Sequence, residues 1–204
     1  MGATPVKPKD PEADGGFYIL NVASGERIYS WDIQDLVPEP TPSEPGTVTP
    51  NLINDPIAWT ACFGPTFNAN FPLRAFTWVP QATGTVYLQC GPHDTKTYGW
   101  HHIQANHQSQ WQTRADTATG VPGGVAWDDF MADIISQILD WPSRYTVEYS
   151  GKRCYTGYIQ IWDLNGNLKY DFNPSIVVSM TNNRLITSYP TTNQDCSRQA
   201  AWAF

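Results

Sequence analysis

The chain has 204 residues, 41% of them hydrophobic and 13% aromatic, with seventeen prolines and nine tryptophans. That is enough for one large domain, or an ordinary domain with an appended arm, built more from strands and loops than from a helical bundle. A formal net charge of -7 excludes an overall basic field that would draw the chain to nucleic acid or an anionic membrane. No apolar run approaches the roughly 18 to 20 residues needed to span a bilayer.

Residues 1–16, "MGATPVKPKDPEADGG", are polar and contain no apolar h-region, so no secretory signal is expected. This stretch reads as a tail, disordered or held by a partner. Residues 17–36 contain "ASGER" between two apolar runs and read as an N-terminal β-hairpin arm. Residues 37–53 carry prolines at 38, 40, 42, 45 and 50 and read as an extended linker. The main domain is then expected over 54–204, with short apolar runs from Ile57 to Cys90 that suggest strands or packed loops.

"AWDDFMADIISQILDW" is the clearest helix, because Trp127, Phe130, Met131, Ile134, Ile135, Ile138 and Leu139 share one face. Asp128 and Asp129 suit its positive end, and Pro142 lies just past its other end. After it the apolar period becomes two. "RYTVEYS" is one strand, "CYTGYIQIWDLNGNLKYDF" a hairpin around Asn165-Gly166, and "SIVVSM-TNN-RLITSYP" a second hairpin. The expected class is α+β: one main amphipathic helix packed on an antiparallel β-meander, with the hairpin arm at the N-terminus.

The four cysteines, Cys62, Cys90, Cys154 and Cys196, show no CxxC, and three pairings are possible. Without a signal peptide, buried free thiols are the expectation. All four histidines fall within "CGPHDTKTYGWHHIQANH". Cys90-x2-His93 with His102-x4-His107 suggests a zinc module, although the spacer is shorter than a finger loop. An HNH-type metal nuclease needs a further His or Asn that "TRADTATGVPGGVAWDD" lacks. Acid–base catalysis by two imidazoles needs no metal and no cofactor. Packing alone also accounts for His107, which falls on the helical face of Trp100, Ile103 and Trp111.

The order "GWHHIQANH", amphipathic helix, β-hairpins and terminal "LITSYP" resembles the toxin ribonucleases of the EndoU and barnase-like class over about residues 85–192. The resemblance implies metal-independent cleavage of RNA by its own 2′-hydroxyl. It implies His102 and His107 as acid and base, Tyr189 against the ribose or a base, and Thr187 or Ser188 donating to phosphate. His101 would bind phosphate, and Lys152, Arg153 and Lys169 are candidates for the class's lysine. RNA is then the substrate, an immunity protein a partner, no membrane is involved, and the location is the bacterial cytoplasm or a virion. The tryptophan-rich, lysine-poor composition also resembles actinobacterial phage proteins. The alternative is therefore a structural virion protein, a minor tail or capsid component, docked to its partners through the N-terminal arm.

Overall fold

The computed structural model describes residues 16–34, 52–53, 55–77, 79–80, 82–94, 97–146, 148–192 and 196. In chain order the elements are β1 (Phe17–Asn21), β2 (Arg27–Tyr29), α1 (Ser30–Gln34), α2 (Pro56–Phe63), β3 (Pro72–Phe76) and β4 (Val86–Gln89). There follow α3 (Gly99–Thr119), α4 (Trp127–Asp140), β5 (Arg144–Tyr145), β6 (Lys152–Thr156), β7 (Ile159–Asp163), β8 (Leu168–Ser179) and β9 (Arg184–Thr191). They make an α+β fold with a nine-stranded, mostly antiparallel sheet, ordered β2-β1-β7-β8-β9-β4-β3. β5 and β6 branch off at β8.

One long hairpin organises the sheet. β6 pairs with Ser175–Ser179 of β8, and β7 pairs with its first half from Phe172 backwards, in one continuous register. Continued through the gap, that register sets Gly157 and Tyr158 opposite Pro174 and Asn173, so the proline's missing N–H falls where the ladder is already broken. Asn165-Gly166 turns the hairpin, with Gly166 at φ 84° and Asp163 accepting from the backbone N–H of Asn167 at 2.7 Å. What reads in sequence as two separate strands, "LKYDF" and "SIVVSM", is thus the single strand β8.

α4 lies against this hairpin at the break. A Cβ on Gly157 would stand 2.0 Å from Cδ1 of Ile138. Phe130, Ile134, Ile135 and Ile138 of α4 join Tyr155, Ile159, Ile176 and Leu185 in one buried core. The expected amphipathic helix is therefore present, and within one residue of its expected ends.

Three helices were not expected: the short α1, which follows β2 inside the stretch read as a hairpin, and α2 and α3. α2 occupies "PIAWTACF", read above as strand or loop; Asp55 caps it by accepting from Ile57 N, and Pro56 opens it. α3 is the longest helix, with Trp100, Ile103, Trp111, Ala115 and Ala118 buried at helical spacing. It ends at Gly120 in the left-handed region. Trp100 Nε1 donates to the fully buried Asp128 at 3.2 Å, which ties the start of α3 to the start of α4.

The N-terminal hairpin forms as expected, but it is an integral edge of the sheet and does not project as an arm. β1 pairs with β7 over five residues, Phe17 and Ile19 are fully buried, and Asn21 Nδ2 donates to the carbonyls of Gln137 and Trp141 at the end of α4. Burying that alternating face against α4 stabilises more than free projection would allow. The boundary expected between an arm and the main domain is therefore crossed by backbone pairing. The proline-rich stretch 37–50 and the tail 1–15 lie outside the described residues.

The cysteines pair as Cys62–Cys90 and Cys154–Cys196, which corrects the expectation of free thiols. Partners 28 and 42 residues apart leave no spacing signal in the sequence.

Replacing Gly157 by Ala drives a methyl into Ile138, so Gly157→Ala is expected to cost about 1–3 kcal/mol by urea unfolding. Ile138→Val removes the opposing methyl, and the double variant should recover part of that loss.

Candidate active site on the α3–β9 seam

Antiparallel pairing puts partner residues on the same face of a sheet. Across β6, β8 and β9, Thr156, Ser175 and Tyr189 form one row on the face away from α4. Cys154, Val177 and Thr187 form the next. A bulge between Val177 and Val178 then shifts the register, so that Lys152, Ser179 and Arg184 form a third. The inner part of this face is closed: Thr156 and Ser175 are fully buried, and Cys196, bonded to Cys154, packs with Val177 and Ile186. The outer rim, where β9 meets α3, is open.

α3 is held along that rim by Trp111, whose Nε1 donates to the Ser188 carbonyl at 3.1 Å in a buried contact. The consequence is a cluster of three rings. His107 stacks on Tyr189 with ring centroids 4.9 Å apart, and His102 meets His107 edge-on at 6.2 Å. All three are half-buried. Residues 82 positions apart thus share one surface.

Their hydrogen bonds differentiate the two imidazoles. His107 Nδ1 lies 3.1 Å from Gln110 Oε1, an acceptor, so Nδ1 carries the proton and Nε2 is left with a lone pair. His102 Nδ1 lies 3.4 Å from the Asn106 amide nitrogen, a donor, so in the neutral ring the proton sits on Nε2. Burial pushes the His107 pKa down; the Gln110 hydrogen bond opposes this, and the neighbouring His102 adds to it. Burial raises Tyr189 to about 12, so it stays a protonated phenol at neutral pH.

The remaining expected residues divide. Thr187 lies one row from Tyr189; it is only 5% exposed and its hydroxyl has no partner. Lys152 shares the outer face but stands on β6, two strands from β9, with burial lowering its pKa. Ser188 and Arg153 are corrected by the alternation of the strand. Ser188 pairs with Ile176 and is fully buried on the α4 side. Arg153 pairs with Val178 and reaches over Tyr145. Lys169 donates to the carbonyl of Ala118 at the end of α3, away from the rings.

His101 is corrected as well. One position from His102, it is turned about 100° around the helix and is only 4% exposed. Its Nε2 donates to the Cys62 carbonyl at 3.1 Å, and His93 donates to the same carbonyl at 2.7 Å. Phe63 packs edge-on to His101 at 4.8 Å. His93 and His101 thus brace the Cys62–Cys90 disulfide and are not part of the rim. A zinc module built on Cys90 is not available, since its sulfur is bonded to Cys62. Among the described residues no group of three or more His, Cys, Asp or Glu side chains is placed to hold a metal ion. Nor is any helix among them long and apolar enough to cross a membrane.

A histidine whose folded pKa is depressed binds its proton more weakly than in the unfolded chain. Its contribution to stability is whole above the unfolded value of about 6.5 and is lost as pH falls below it. His101 and His107 are both shifted this way. Histidine NMR titration should find His107 protonating below the ordinary value, and His107→Gln should flatten the fall of Tm between about pH 6.5 and 5. An unchanged slope would contradict the burial described.

No protein-family model matches the chain, and no solved structure matches it. Among curated proteins it is similar to the uncharacterized proteins MT0764 and Rv0739 of Mycobacterium tuberculosis, at 28% identity over 167 residues in each case. The match takes in 78% of this chain and 56% of each relative, so the chain spans about half the length of the curated relatives it matches.

Proposed function

We propose that this domain cleaves RNA by transesterification, without a metal, at the His102–His107–Tyr189 cluster. The observation that carries the reading is the convergence of two imidazoles, one of them turned by Gln110 to present its Nε2 lone pair, beside a phenol that stays protonated. His107 Nε2, neutral and unprotonated, takes the proton of a ribose 2′-hydroxyl. The 2′-oxygen attacks the adjacent phosphorus, the bond to the 5′-oxygen breaks, and His102, acting in its protonated imidazolium form, gives its Nε2 proton to that oxygen and is left neutral. The products are a 2′,3′-cyclic phosphate and a free 5′-hydroxyl. His107 then holds the ribose proton and His102 is neutral, and hydrolysis of the cyclic phosphate with the roles reversed, or exchange with water, resets the pair.

Tyr189 supplies an O–H donor to a non-bridging phosphate oxygen, as an uncharged group whose proton burial retains. Thr187, one row inward, stands behind it. The two disulfides suit an oxidising location such as the cell exterior or a virion better than the cytoplasm.

Purified protein incubated with total RNA in EDTA should cut it and leave cyclic phosphate ends. His102→Ala and His107→Ala should each lower the rate by about 10²–10⁴-fold, with folding checked by circular dichroism. Absence of cleavage by the wild type at any concentration sinks the proposal, and so does cleavage that EDTA abolishes.

A further inference from the structure

We infer that Arg184, stacked on Tyr98, is a second phosphate subsite on the same seam, holding the backbone of a single RNA strand whose reacting phosphate lies at His102–His107. This rests on the ribonuclease reading and adds to it a requirement for more than one nucleotide.

The β8–β9 bulge aims this residue. Without the register shift between Val177 and Val178, Leu185 would pair with Ser179 and Arg184 would turn to the α4 side. With it, Leu185 enters the core and Arg184 joins the face of Thr187 and Tyr189. Its guanidinium lies 4.2 Å above the Tyr98 ring. That ring is fixed from behind by the Val177–Ile186 cluster and at its hydroxyl by Asn70, 3.0 Å away. Arg184 Nε is buried without a hydrogen-bond partner. A stacked guanidinium keeps the donors in its plane for the two oxygens of a phosphate, which a lysine cannot match.

Two independent rulers give the separation. Along β8, Ser179 to Ser175 is four residues, about 13 Å. Along α3, Tyr98 to His107 is nine residues, about 13.5 Å. A mononucleotide does not bridge that distance, whereas a short oligonucleotide does. The three rows that cross this face contain no carboxylate. The two charged residues on those rows, Lys152 and Arg184, are both cationic, although the chain as a whole carries -7.

The test uses labelled hexathymidylate, which has no 2′-hydroxyl and so binds without reacting, followed by fluorescence anisotropy over a range of salt. Each phosphate neutralised contributes a slope of about 0.7 for a single strand. Arg184→Gln should lower the slope by about that amount and weaken binding several-fold, while Arg184→Lys keeps the slope and loses part of the affinity. Arg27→Gln, the same charge change at the far end of the sheet, should leave both unchanged. Thermal melts show whether each variant is folded.

Arg184→Gln indistinguishable from Arg27→Gln overturns the subsite, as does a wild type that does not bind the hexamer. If the wild type cleaves RNA while binding ignores Arg184, the subsite falls and the ribonuclease reading stands. Arg184-dependent binding without cleavage of RNA has the opposite meaning, leaving a single-strand binding site without the chemistry.

Discussion

The placement of every group on the seam depends on the register of β8. That strand carries β6 and β7 end to end along one edge and β9 along the other, so a shift of one residue would exchange the two faces of half the sheet. Tyr189 and Thr187 would then turn inward, and Ile176 and Val178 would meet solvent. The cost of exposing those apolar side chains, on the order of 25 cal/mol per Å², holds the register. The core thereby fixes the site without contributing an atom to it.

Against that frame the two pairs of histidines have opposite roles. His93 and His101 are spent on one carbonyl beside a disulfide, where a ring N–H satisfies a backbone group in an apolar nest. His107 meets Gln110 through Nδ1 and His102 meets Asn106 through Nδ1, both within their own helix and beside Tyr189. Nearest neighbours in sequence, His101 and His102, belong to different pairs because the helix turns between them. The half-burial of His107 matters here, since a fully exposed imidazole would keep its ordinary basicity.

What could be read from the sequence was governed by pattern strength. α4 was legible because its apolar face is unbroken, and the β7–β8 turn because Asn-Gly has few other uses. α3 was not: its buried positions are separated by Gln, Asn, His and Thr, and its start at Tyr98 has no side-chain cap. α2 was announced by Asp55-Pro56, a cap and first-turn pair, but its apolar run reads equally well as a strand. Both disulfides join residues that only the tertiary fold brings near each other. For the site, "WHHIQANH" and "TSYP" pointed to the residues that converge, because the chain has only four histidines and imidazole and phenol are chemically distinctive. Which of two adjacent residues faces the seam was not legible. Ser188, Arg153 and His101 were misplaced for that reason, and Arg184 was missed because a bulge, invisible in the sequence, decides its face.

The sheet's termini have a consequence for how this protein behaves in concentrated solution. The path ends in β2, three residues long, and in β3, which opens with a proline that donates no backbone hydrogen bond. The branch ends in β5, of two residues. β9, which pairs with β4 only at Arg184, has α3 along the rest of that edge. Among the described residues, then, a nine-stranded sheet offers no long free strand on which a second copy could add its own. What the described surface offers to a neighbour instead is a scatter of exposed aromatics such as Trp59 and Trp141.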